Sequence, residues 1–341
     1  MAAAVVLFHV NKHPLLYLAA TAGLLLGPEL AVAQAGHALG DASFLSAYFF
    51  YSKPDKVIVE ETTPTEDQIR FYGRPDVVEA PADIKPTGPA APTTVGPVDI
   101  RHLRFRDADG DIVPALLCTP KGKKGPFPLA IAVHGMNSNK AQVCGQVAPA
   151  LAKRGFAVLA PDMPVHGERP GSPHDLFASQ DWIKALRLHR RAIIDIRQCI
   201  DVAEARPELD LSKGVILAGY SMGSWLDSIA GPIDPRVKAM VLMVGGATDP
   251  GPVVKKLPLV ATADPLEALP FFAGRPLLLL NGRHDQTVTP EMADRLFAAA
   301  PEPKEQKWYD SGHHLPDKAY EDAAKWVAQQ WAKLTPPAAT K

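Results

Sequence analysis

Gly219-Tyr220-Ser221-Met222-Gly223 stands where a short apolar run, Val215 to Ala218, gives way to helix-compatible residues. A serine in G-x-S-x-G between a strand and a helix sits on a tight, strained turn. Glycine suits both flanks because a Cβ there would collide with neighbouring elements. A hydroxyl is a poor nucleophile until a base takes its proton, and that base needs a third group to orient it. Histidine is the first choice of base for work near neutral pH. Downstream of Ser221 the histidines are His284, His313 and His314. His313 directly follows Gly312 in the loop after the last expected strand and is preferred to His314. Asp285 follows the run Leu277 to Leu280 and the turn Asn281-Gly282-Arg283-His284, and is the candidate acid, with Asp249 as runner-up. Each residue alone has an ordinary reading: a capping serine, a turn aspartate, a solvated histidine. The conjunction is what points to nucleophilic catalysis, since three loops, each after an expected parallel strand, supply the three types in the order Ser221, Asp285, His313.

Acyl transfer also needs backbone N–H donors aimed at the oxyanion of its tetrahedral intermediate. One expected donor is Met222, next to the nucleophile. The second is Met136 in His134-Gly135-Met136-Asn137, where Gly135 permits a close backbone approach. His134 itself is read as structural.

The elements that must carry these residues are legible from about Asp99 onward. Residues 101–120 read as two strands joined around Asp109-Gly110, a hairpin signal. Pro128 to Val133 and Phe156 to Ala160 are near-continuous apolar strands, as expected when both sheet faces are covered. Further strands are expected at Val237 to Val244, Pro276 to Leu280 and Gln306 to Tyr309. Between them lie a helix from about Asn139 to Gly155, a long one from about Gln180 to Ala205, and a final one carrying Tyr320, Ala324, Val327, Trp331 and Leu334. This alternation predicts an α/β fold: a mostly parallel central sheet flanked by helices, beginning with an antiparallel hairpin. Two stretches interrupt it, about Pro164 to Ser179 and Ala247 to Gly274. Both follow strand ends on the side where such sheets bind ligands, and are read as pocket walls or lids.

With these motifs in place, the sequence from about Asp99 to Leu334 resembles the α/β-hydrolase superfamily. HGMNSNK resembles its oxyanion loop, GYSMG its nucleophile elbow, NGRHDQTV its acid loop and SGHHLP its histidine loop. APDMPVHGERPG, after the fourth expected strand, is similar to a segment of the dienelactone-hydrolase-like and acyl-esterase branches. The resemblance implies an α/β-hydrolase fold, a covalent acyl-serine intermediate and no cofactor. The expected function is therefore a serine esterase acting on a small-molecule carboxylic ester. A thioesterase or exopeptidase would use the same residues, and a binding protein could keep the fold without the chemistry.

The 341-residue chain has 36 basic and 37 acidic side chains and 47% hydrophobic residues. That balance argues against nucleic acid or highly charged partners and for a sizeable core. Cys118, Cys144 and Cys199 lack C-x-x-C or Cys/His ligand spacing, so no zinc site is expected; one disulfide is open, with its pairing undetermined. Residues 1–35 read as a signal peptide, with an apolar run from Pro14 to Gly27 and A-x-A sites at Ala31 to Ala33 or Ala33 to Ala35. A retained anchor is the alternative, and membrane contact is expected only through the N-terminal segment. Residues 36–98 read as an N-terminal extension and Pro-rich linker, 99–335 as the catalytic domain and 336–341 as a tail. Within the extension, Phe44 to Tyr51 reads as an aromatic helix with Phe44, Tyr48 and Tyr51 on one face. Its plain reading is packing onto the main domain; covering a pocket or touching a membrane is the alternative.

Overall fold

Apolar strands gather in the middle of the sheet, where helices cover both faces. A computed structural model describes residues 42–71, 90–177, 181–249 and 257–334. The signal-peptide stretch 1–35, most of the Pro-rich linker and the tail 336–341 lie outside the described residues. The strands are β1 (Val59–Thr62), β2 (Thr93–Val95), β3 (Val98–Arg106), β4 (Ile112–Pro120), β5 (Phe127–Val133), β6 (Ala157–Pro161), β7 (Leu209–Asp210), β8 (Val215–Tyr220), β9 (Val237–Met243), β10 (Leu277–Gly282) and β11 (Lys304–Tyr309). The main helices are α1 (Ala42–Tyr48), α2 (Lys140–Lys153), α3 (Trp182–Glu204), α4 (Met222–Ile233), α5 (Pro290–Ala299) and α6 (Asp317–Lys333).

The strand order is β1-β3-β4-β6-β5-β8-β9-β10-β11, with β2 paired to β3 and β7 to β5. Pairing is antiparallel from β1 through β4 to β6 and parallel from β6 through β5 to β11. The expected hairpin and parallel alternation are both present. Alternation along the central strands splits the core in two. Leu129, Ile131 and Val133 of β5, with Leu217 of β8 and Leu279 of β10, face α3 and α4. Ala130, Ala132, Ile216, Ala218, Leu278 and Leu280 face α2 and α6. Both faces being dry, these strands read as continuous apolar runs rather than alternating ones.

The extension ahead of Asp99 joins the same body. β1 adds an antiparallel edge to β3, and β2, inside the stretch read as linker, pairs with β3 through Thr93–Ile100 and Val95–Val98. The linker reading of residues 90–97 is therefore corrected to a short strand and turn. The aromatic stretch also differs from expectation. The helix ends at Tyr48, which takes Tyr51 out of helical register, and its buried pair is Leu45 and Phe49, while Phe44 is 41% exposed. Arg190 and Arg197 of α3 donate to the Tyr48 and Phe49 carbonyls, and Tyr51 donates to Asp201 at 2.6 Å. The arm thus lies along α3, packed onto the main body.

Cys118 of β4 and Cys144 of α2 form a disulfide, and Cys199 is free and buried. Of the two interrupting stretches, residues 257–272 form three short helical turns whose Ala261, Ala268, Leu269 and Phe272 join the core beside α4. Among the described residues no helix is long and apolar enough to cross a membrane.

Candidate active site

The loops after β8, β10 and β11 meet at the carboxyl edge of the sheet. Ser221, at the β8–α4 junction, has φ 53° and ψ −109°, a left-handed backbone unusual for a residue with a side chain. Its N–H donates to the Met243 carbonyl at 2.8 Å. The Ser224 hydroxyl lies 2.8 Å from both the Gly219 and Met243 carbonyls, tying the turn to β9. A Cβ on Gly219 would lie 2.4 Å from the Gly223 carbonyl group, and one on Gly223 would lie 2.0 Å from the Val133 carbonyl oxygen. Both glycines of G-x-S-x-G are therefore steric requirements in this chain. Gly223→Ala must push backbone against backbone. Its expected cost is about 3 kcal/mol, read as a lower urea midpoint; an unchanged midpoint would contradict the close approach of α4 to β5.

His313 and Asp285 complete a hydrogen-bonded line. His313 Nε2 is 3.1 Å from Ser221 Oγ, and His313 Nδ1 is 2.8 Å from Asp285 Oδ2. Asp285 is 2% exposed, and its Oδ1 accepts from the Thr287 and Val288 N–H groups at 2.8 and 2.9 Å. A carboxylate oxygen so placed accepts from Nδ1–H, which fixes the proton on Nδ1 and leaves Nε2 as the acceptor for the serine hydroxyl. Such a line can draw the proton off a serine hydroxyl. His284 instead pairs with Asp310 on the exposed side, and His314 and Asp249 are exposed.

Backbone contacts bring the acid and histidine loops together. Arg283 donates to the Tyr309 carbonyl and His284 to that of Ser311, which continues the β10–β11 pairing into the loops. Gly282 passes so close to the histidine loop that a Cβ would lie 2.2 Å from the Gly312 oxygen. Tyr220 adds a bond that sequence reading did not anticipate: its hydroxyl donates to the His313 carbonyl at 2.6 Å. Burial raises the phenol's pKa, which keeps it a donor. Trp225, one turn along α4, donates its indole N–H to the Ala263 carbonyl at 2.9 Å, linking α4 to residues 257–272. Neither role left a signal in the sequence, because both bonds go to backbone of distant segments.

The loop 134–137 runs against the elbow; a Cβ on Gly135 would sit 3.5 Å from Ser221 Cβ. Met222 opens α4, where N–H groups have no partner within the helix. Met136 lies in the turn closed by the Ser138 N–H on the Gly135 carbonyl. His134 is wholly buried: its Nδ1–H donates to the Gly135 carbonyl at 2.8 Å and its Nε2 accepts from Met163 N–H at 3.0 Å. Burial, aided by neighbouring His166, lowers its pKa to about 4, so it is a neutral brace. Among the described residues no cluster of three or more His, Cys, Asp or Glu could hold a metal ion.

Comparison with known proteins agrees with this architecture. A stretch of 147 residues is 32% identical to the uncharacterized protein PA2218 of Pseudomonas aeruginosa, covering 42% of this chain but only 36% of that relative's length. The acetyl xylan esterase from Paenibacillus sp. R4 has a similar structure, with TM-score 0.59 and 17% identity over 87% of this chain and 95% of that one. A cold-adapted esterase from an Arctic intertidal metagenomic library matches with TM-score 0.56 and 22% identity over 72% of this chain and 97% of that one. At such identities these likenesses speak for the fold alone. A sequence profile described as Alpha/beta hydrolase family matches residues 130–339, more than half the chain and all of the loops above. By that match and by its sheet topology, the chain belongs to the alpha/beta hydrolase family.

Proposed function

We propose that the chain is a serine hydrolase of carboxylic esters, and the observation that carries the proposal is the line from Ser221 through His313 to Asp285. His313 Nε2 takes the hydroxyl proton as Ser221 Oγ attacks the ester carbonyl. The N–H groups of Met136 and Met222 then face the oxyanion. His313 returns the proton to the leaving alcohol, and an acyl-serine remains. Water, deprotonated by the same imidazole, attacks that acyl group, and the imidazolium returns the proton to Ser221 Oγ as the acid leaves. Asp285 holds Nδ1 protonated and stabilises the imidazolium at each stage. Water is the only other reactant in this cycle. Two structurally similar proteins are called esterases, which supports ester over thioester or peptide as the scissile group. The signal-peptide reading of residues 1–35 has the chain exported, and a disulfide between Cys118 and Cys144 suits an oxidising compartment.

A fluorophosphonate probe with peptide mapping, run beside a panel of p-nitrophenyl esters, acyl-CoA and aminoacyl substrates, tests the proposal. The expected result is one adduct per chain, on the peptide holding Ser221, and turnover of short esters ahead of the other two classes. Ester turnover with the adduct on another residue would sink the Ser221 assignment. Faster acyl-CoA or aminoacyl turnover would move the substrate class and leave the mechanism standing.

A further inference from the structure

Beside this line, a buried charge cluster joins the loop after β5 to the loop after β6. Lys140, the first residue of α2, is fully buried, as is Asp162. Asp162 Oδ1 accepts from the Lys140 backbone N–H at 2.9 Å. Its Oδ2 accepts from the Lys140 ammonium at 2.7 Å and from the Glu168 N–H at 3.0 Å. The Glu168 carboxylate also takes the Lys140 ammonium, and lies 2.9 Å from His102 Nε2 on β3. Burial works to raise the Glu168 pKa, but the His102 bond and the Lys140 charge outweigh it and bring it to about 2. Gly167, at φ +58°, leaves room for this arrangement, since a Cβ would lie 2.2 Å from the Asp162 carboxyl group.

A buried ion pair adds little net stability, because lost hydration offsets the attraction; what it supplies is fixed geometry. Here the geometry brackets Met136. At one end of its loop, His134 is held by the Met163 N–H, and at the other, Lys140 is held by Asp162 and Glu168. Both anchors belong to the same segment, residues 162–168, so the loop is pinned twice to one support. We propose that Lys140, Asp162 and Glu168 are positioning residues that keep the Met136 N–H aimed at the oxyanion. This rests on the serine-hydrolase reading above. Misplacing one oxyanion donor by an ångström weakens binding of the transition state while leaving the ground-state ester bound as before.

Lys140→Met keeps the aliphatic stem and removes the ammonium; Glu168→Gln, at a partly exposed carboxylate, is the gentler variant. Lys153→Met, at the far end of the helix that Lys140 begins, breaks the exposed Lys153–Glu321 pair between α2 and α6 and is the control. On a p-nitrophenyl ester, kcat should fall about 10- to 100-fold in Lys140→Met and about 3- to 10-fold in Glu168→Gln, with KM within about twofold of wild type. Amide hydrogen exchange over residues 134–141 should quicken in both, with residues 215–221 unchanged and the control like wild type. Wild-type kcat and exchange in the folded variants would overturn the proposal, as would a loss carried by KM. If Lys140→Met does not fold, Glu168→Gln decides. A wild-type protein with neither ester turnover nor label on Ser221 removes the hydrolase reading. The exchange result then stands alone: quickened exchange upholds the clamp on the loop, and unchanged exchange overturns it.

Discussion

Ser221→Ala should lower kcat on a short-chain ester by about 10⁵-fold and abolish fluorophosphonate labelling. The substitution removes one oxygen, which is 3.1 Å from His313 Nε2, and leaves every other contact of the turn in place. The elbow is held by the Ser221 N–H on Met243, by Ser224 and by the two flanking glycines, none of which involves Oγ. The variant should therefore melt within about 2 °C of wild type, since a change that leaves packing and buried hydrogen bonds intact costs little. Without the nucleophile, hydrolysis requires direct attack by water, aided only by the oxyanion donors and binding. A folded variant that keeps more than about 1% of the activity would mean another nucleophile.

Asp285→Asn should cost about 10⁴-fold in kcat while preserving the fold. The reason lies in which oxygen does what. Oδ1 accepts from two backbone N–H groups, and Oδ2 faces His313 Nδ1. Asparagine in this place keeps its carbonyl oxygen on the two donors, so its NH₂ group turns to Nδ1. Nδ1 must then accept, the imidazole proton moves to Nε2, and the ring offers Ser221 a donor instead of an acceptor. The two variants separate two jobs: the first removes the nucleophile, the second leaves it present and unactivated. Nitrogen NMR of the imidazole should show the tautomer change directly. A loss below about tenfold, with the tautomer unchanged, would assign the orienting role to another group and return Asp249 to consideration.

The parts of the fold that the sequence makes legible share one cause. A strand covered on both faces must be apolar throughout, so β5, β6, β8, β9 and β10 stand out as runs bounded by turn residues. Parallel connection then requires a helix after each, and α2, α3 and α6 carry the expected periodicity. The elements that were not legible lack that cause. β1, Val-Glu-Glu-Thr, is an edge strand with partly exposed residues, and β2 is three residues inside a Pro- and Thr-rich stretch. Their strand state comes from pairing with β3, a long-range contact that no local pattern announces. The aromatic arm differs for another reason: its helix stops at Tyr48, so Tyr51 lies beyond the helical face that the spacing predicts.

For the candidate site, the sequence by itself determined that a serine, an aspartate and a histidine follow three strands of one parallel sheet, because strand ends on one edge must lie near one another. It also determined that glycine flanks the serine. Only the tertiary structure decided which way each side chain points. The position after Gly312 favours His313 over its neighbour His314 but does not aim the ring; Gly282 pressed against Gly312 and Tyr220 bonded to the His313 carbonyl give the loop its one orientation. Likewise the Lys140–Asp162–Glu168 clamp joins residues 22 and 28 positions apart, in two segments that no sequence pattern pairs with each other. Direction and clamping depend on contacts between segments distant in the chain, and only folding brings those segments together.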